Sequence, residues 1–183
     1  LGNLQAGFCV YGNGLYNNAL HMVDLIRMLF GEISFVQAIA QDSQFNNCTM
    51  KNDFNIPFII FTKRGGSIIF QPINFNFYRD IYLDFWGEKG RLEIFQEGLF
   101  YRLSGVKKHR AIDGLNEISI DKMKYKKTNC GYAYYNIYEN LAKHLKKKIK
   151  LLSPIESAIL SEQVLFFVSE SKKKKFKKIK IED

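Results

Sequence analysis

A chain of 183 residues with 46% hydrophobic and 15% aromatic side chains suits one domain with a real core, and is too apolar to be disordered. No uninterrupted apolar run approaches the roughly 20 residues a bilayer-spanning helix needs. Cys9, Cys48 and Cys130 are too few and too scattered for a disulfide framework or a zinc site, and they fit a reducing cytoplasm. The formal charge of +9 raises nucleic acid or an anionic membrane as partners. Much of it lies in two lysine runs, 143–150 and 172–180, whereas the aromatic residues alternate elsewhere along apparent strands instead of interleaving as a base-stacking platform. Lysine also outweighs arginine, so the runs read as a solvated basic face, with neither nucleic acid nor membrane as partner.

In chain order, Asn3–Tyr11 predicts a strand, and a glycine turn leads into a helix over Leu15–Phe30 that Gly31 ends. That helix is apolar almost all round, which predicts burial on both sides. Ile33–Gln41 predicts a strand, followed by the polar loop QDSQFNNCTMKND. Ile56–Lys63 and Ser67–Phe75 flank Lys63-Arg64-Gly65-Gly66 as a hairpin. Asp80–Trp86 and Arg91–Phe95 flank the Gly87–Gly90 turn in the same way, and Leu99–Leu103 follows. Ser104–Asn129 is polar and lysine-rich, which predicts an extended loop or an edge segment. Tyr132–Lys147 predicts a helix with Ile137, Leu141 and Leu145 on one stripe. Ser153, Pro154 and Glu156 predict a capping box opening a helix to about Ser171, with Ile155, Ile159, Val164 and Phe167 buried. Phe176, Ile179 and Ile181 predict a last strand at a lysine-guarded edge. The fold class is α+β: an open, largely antiparallel mixed sheet with helices on one face.

Asn17, His21 and Asp24 recur at spacings of four and three on the first helix, which puts all three on one face. An apolar helix excludes an amide, an imidazole and a carboxylate unless they partner one another or serve a ligand. Two readings stand at this point. One is a core histidine bonded to Asp24 with Asn17 capping the first turn; the other is an active-site helix.

The order Gly-x-Gly-Leu-x-Asn-x-x-x-His-x-x-Asp from Gly12 to Asp24, then an apolar run ending Leu-Phe-Gly-Glu, resembles the C-terminal domain of the Gfo/Idh/MocA oxidoreductases. Tyr82–Ile94 (YLDFWGEKGRLEI) and the tail LSPIESAILSEQVLFFVSES resemble two later segments of that domain, so the likeness covers nearly the whole chain. Asn17 stands where many members carry aspartate, and Ala19 where most carry glycine. The resemblance implies a glyceraldehyde-3-phosphate dehydrogenase-like C-terminal domain over residues 1–183. Its other sheet face would serve as a dimer or tetramer interface.

For the whole protein the resemblance implies NAD- or NADP-dependent oxidation of a hydroxyl on a sugar or nucleotide sugar, with surface polysaccharide synthesis as a setting. His21 is then the catalytic acid–base group. Asn17, Asp24 and Tyr11 become substrate neighbours, joined by Arg79 before a strand and by Tyr134 and Tyr135 at a helix start. Neither the family's Gly-x-Gly-x-x-Gly fingerprint nor its Glu-Lys-Pro motif occurs here. The expectation is therefore a C-terminal part of a longer enzyme, inactive and cofactor-free alone. A non-catalytic binding or dimerisation module that keeps the fold is the alternative.

Overall fold

The computed structural model describes residues 1–45, 48–119 and 125–181. Strands β1 (Leu4–Tyr11), β2 (Ile33–Ala38), β3 (Phe58–Thr62), β4 (Ser67–Pro72), β5 (Tyr82–Gly87), β6 (Gly90–Phe95), β7 (Phe100–Lys108), β8 (Asn116–Ile118) and β10 (Ile179–Lys180) form one sheet. Its order is β10-β2-β3-β4-β1-β5-β6-β7-β8, and β9 (Lys126–Lys127) pairs with β7. All pairs are antiparallel except β1 with β4, where Ala6 faces Ser67 and Tyr11 faces Pro72. The sheet is thus open, mixed and largely antiparallel, in an α+β fold.

Helices α1 (Leu20–Phe30) and α3 (Ile155–Lys173) contribute buried side chains to the core. Met22, Val23 and Ile26 of α1 and Val164, Leu165 and Val168 of α3 join Phe58, Ile60, Ile68, Phe70 and Phe85 of the strands. Phe58 and Phe70 stack at 4.3 Å, and Phe30 meets Phe85 edge-on at 4.8 Å. Helix α2 (Ala133–Lys147) is different, since none of its residues is buried.

Three expectations need correction. Helix α1 is not buried on both sides, because His21, Asp24, Met28 and Leu29 are exposed. Ile155 and Ile159 are exposed too. The buried line of α3 runs through Ser161, Val164, Leu165, Val168 and Ser171, because small hydroxyl residues allow close approach where their oxygens find partners. Ser171 is an example: its Oγ accepts from the Ala38 N–H (2.9 Å) and donates to the Lys177 carbonyl (2.6 Å). The capping box does not form, as Pro154 itself is the N-cap and no side chain caps α3. The segment after Ser104, expected as an extended loop or an edge, does reach the sheet edge: β7 continues to Lys108 and returns as β8, the last strand of the order, and as β9, while residues 120–124 lie outside the described residues.

Tyr11 closes β1 as a structural strap. Its ring is fully buried, and its hydroxyl donates to the Ile56 carbonyl (2.6 Å) and accepts from the Ile56 N–H (2.9 Å). Burial pushes its pKa far up. Tyr11→Phe is expected to destabilise by about 1–3 kcal/mol, since two buried backbone groups lose their partner. A lower urea midpoint at unchanged slope is the check.

Candidate functional site

The turn between β1 and α1 is built by residues far along the chain. Gly14 adopts φ 103°, open to glycine and strained for any other residue. Its N–H donates to Asn55 Oδ1 (3.0 Å). The Asp53 carboxylate then takes the N–H groups of Leu15 (2.9 Å), Tyr16 (3.1 Å) and Asn17 (3.2 Å), and that of Phe54 (2.8 Å). The first three are the N–H groups of a helix start, that of Leu15 shared with the Phe54 carbonyl (2.8 Å), so Asp53 caps the helix from a separate loop. Asn18 Nδ2 ties back to the Gly12 carbonyl (2.8 Å), and Asn13 Oδ1 accepts from the Thr49 N–H and hydroxyl (2.7 and 2.8 Å). Leu15–Ala19 forms a π-helical turn before the α-helical part begins at Leu20. Such wide turns shift the phase of the residues they contain, so Asn17 does not stack over His21 as in a continuous α-helix.

Asp53, Asn55 and Thr49 were not singled out by sequence reasoning. The available signal was the Asn52-Asp53-Phe54-Asn55 run ahead of a strand, where polar side chains of that kind seek backbone donors.

His21 lies exposed on α1 and makes no hydrogen bond or ion pair among the described residues. The Asn17 side chain, half-buried, is equally unengaged there. Asp24 turns the other way. Its Oδ1 accepts from Ser161 Oγ (2.9 Å) and lies 3.6 Å from the Arg27 guanidinium. Arg27 is buried; it donates twice to Glu32 (2.8 and 2.9 Å), and to the Ser157 carbonyl (2.6 Å) and Ser161 Oγ (2.7 Å). Asp24 therefore belongs to a staple joining α1 to α3, and no His21–Asp24 bond forms. A cleft of about 400 Å³ opens beside this staple, lined by Asp24, Arg27, Met28, Glu32, residues 152–155, Ser157 and Ala158, without His21.

The remaining expected site residues are dispersed. Tyr11 is closed into the core and offers no atom to a ligand. Arg79 lies in the loop before β5, paired with Glu97 (2.8 Å) and over the Phe75 ring. Tyr134 and Tyr135 stand exposed on α2, their side chains hydrogen-bonded to nothing among the described residues. The structure thus keeps Asn17 and His21 on one anchored segment and brings the side chains of none of the other five into hydrogen-bonding contact with theirs.

Cys48 lines the same loop, half-buried, and burial reinforced by the Asp53 charge pushes its thiol up to about 11. Cys9 is fully buried and Cys130 exposed. Because the thiolate is the nucleophile, iodoacetamide at pH 8 is expected to label Cys130 first and Cys48 at least about tenfold more slowly. Mass spectrometry of timed digests reads the order.

A dinucleotide's diphosphate needs free N–H groups at a glycine-lined helix start. Here those of Leu15, Tyr16 and Asn17 are occupied by Asp53, itself only 3% exposed. The glycine turn of this chain does not fit a diphosphate. No helix among the described residues is long and apolar enough to cross a membrane.

Residues 12–181 match the model of the Gfo/Idh/MocA family, described as "Oxidoreductase family, C-terminal alpha/beta domain". The chain belongs to this family. Solved structures bear out the fold of a Gfo/Idh/MocA C-terminal domain. One is the WlbA dehydrogenase from Bordetella pertussis in complex with NADH and UDP-GlcNAcA, at 14% identity and a TM-score of 0.67, covering 100% of this chain and 57% of that one. Levoglucosan dehydrogenase in complex with NADH and L-sorbose aligns at 12% identity and 0.70, covering 100% and 59%. An oxidoreductase domain protein from Kribbella flavida aligns at 11% and 0.70, covering 100% and 60%. The chain thus spans less than two thirds of these structures' length. No curated protein matches it.

Proposed function

We propose that this chain is the substrate-side domain of a longer cytoplasmic oxidoreductase that uses NAD or NADP to oxidise a hydroxyl of a sugar or nucleotide sugar. Surface polysaccharide synthesis is a fitting setting. The observation that carries the reading is His21: an exposed, uncommitted imidazole on a helix whose start is locked into the core. An alcohol carbon gives up its hydrogen only as the hydroxyl proton leaves, and an imidazole starts near the pH where it takes that proton well. Asn17 both donates and accepts, so its free amide orients a neighbouring hydroxyl without titrating. Asp24 acts at one remove, holding α1 against α3 through Ser161 and Arg27. Arg79, Tyr134 and Tyr135 are outer contacts reached only by an extended substrate.

The cofactor belongs to a dinucleotide-binding domain outside this chain. Apolar side chains left exposed on three helices, among them Met28, Leu29, Ile137, Leu145, Ile155 and Ile159, offer such a domain a surface. The open sheet face, with Phe8 and Ile69 exposed between strands, suits a dimer or tetramer contact. Sedimentation of the 183-residue chain as a dimer or larger supports that contact, and a clean monomer overturns it.

The deciding experiment titrates the full-length protein with NADH, then adds a panel of nucleotide sugars and follows the nicotinamide absorbance. Binding with a sugar-dependent change supports the dehydrogenase and begins to name its substrate. Absence of binding overturns it in favour of a non-catalytic assembly module.

A further inference from the structure

We infer that Asp53 is the positioning residue of the site, an anion built into the loop between β2 and β3 that sets the orientation of the segment carrying Asn17 and His21. This rests on the reading of His21 given above. The carboxylate is 3% exposed and has no ion-pair partner among the described residues. A buried carboxylate without a cation is costly unless hydrogen bonds to its charged form replace the lost water. Asp53 obtains them from four backbone N–H groups, of Leu15, Tyr16, Asn17 and Phe54, and its charge lies at the positive end of the helix.

The geometry also explains the second glycine of the turn. A Cβ on Gly14 would lie 1.9 Å from Asp53 Oδ2 and 2.6 Å from its Cγ, so Gly14 clears the space that the carboxylate fills. The glycine turn is shaped for an anion supplied by the protein itself. Because Asp53 holds the π-helical turn and not the α-helical part, it fixes how Leu15–Ala19 is wound, and with it where Asn17 and His21 point relative to each other. Asn55 supports the arrangement by holding the Gly14 N–H.

Asp53→Asn keeps the shape and replaces one accepting oxygen with a donor. In the 183-residue chain, amide exchange at Tyr16 and Asn17 is expected to quicken at least about tenfold, as for a lost charged hydrogen bond, and that at Leu15 less, because its N–H also donates to the Phe54 carbonyl (2.8 Å). Amides of β1 and β4 should keep their rates. The His21 ring resonances, followed by NMR on histidine-labelled protein, should shift or broaden with the turn. Asn55→Ala, which removes the acceptor for Gly14 together with the amide's contacts to the Phe45 carbonyl (3.5 Å) and Cys48 Sγ (3.6 Å), should give a weaker form of the same signature and serves if Asp53→Asn does not fold. Unchanged His21 resonances beside a frayed turn would make Asp53 a structural cap only and overturn the inference, as would uniform acceleration across the sheet. These readouts need neither cofactor nor substrate. A catalytically idle His21 would overturn the functional reading while leaving the coupling of Asp53 to the His21 ring separately measurable.

Discussion

His21→Ala in the full-length protein is expected to lower turnover at least about a hundredfold, or about 2.7 kcal/mol on the barrier. It should leave NADH affinity unchanged, since the cofactor is assigned to another domain. The structure makes this substitution unusually clean. His21 is exposed and bonds to nothing among the described residues, so its loss removes no packing or network. The stability change should stay within about 0.5 kcal/mol. A hundredfold loss of kcat at an unchanged melting temperature is therefore chemical in origin. Asp24→Asn is the contrasting variant: it weakens the α1–α3 staple, so its effect should appear in the melting temperature first. Full activity in His21→Ala would make the imidazole a bystander and sink the mechanism.

Much of this fold was legible because its elements obey one period each. β3 through β6 alternate strictly enough, and their glycine turns are short enough, that pairing follows from the pattern. What was not legible depends on partners distant in the chain. Helix α1 reads as apolar on all sides, yet its exposed Met28 and Leu29 show that hydrophobicity alone does not state which surface covers them. Ser161 and Ser171 read as polar although they are among the most buried positions of α3, because their value lies in bonds to Asp24, Arg27 and Ala38. The parallel pairing of β1 with β4 has no local signature either, since the two strands are separated by α1, β2 and β3. At the site, the segment Asn17–His21 was visible as polar residues in an apolar helix. Asp53, 36 residues beyond Asn17, was hidden in a loop whose sequence announces only polarity.

Arg91→Met is expected to cause the largest stability loss on the open sheet face, about 3 kcal/mol, the lower end of the range for breaking a buried pair. Arg91 donates through Nε to Asp84 (2.8 Å) and through its terminal nitrogen to the other Asp84 oxygen, lies 3.4 Å from Glu93, and covers the Trp86 ring at 5.0 Å. Both carboxylates are 3% exposed, and Arg102 holds Glu93 from the next strand. Without Arg91, Asp84 keeps only the Tyr82 hydroxyl at 3.3 Å as a side-chain hydrogen-bond partner among the described residues, a neutral donor for a charge shut away from water. The lower end applies because the arginine itself is partly solvated. By comparison Arg79→Ala, which breaks the well-exposed pair with Glu97, should cost no more than about 1 kcal/mol. A double-mutant cycle separates the causes. If the loss comes from the stranded charge, Asp84→Asn in the Arg91→Met background should recover a substantial part of it. No recovery would assign the loss to packing over Trp86. A parent chain whose stability falls on dilution while that of the variant does not, so that the loss shrinks, would show that the cluster's stability is borrowed from a second copy seated on this face.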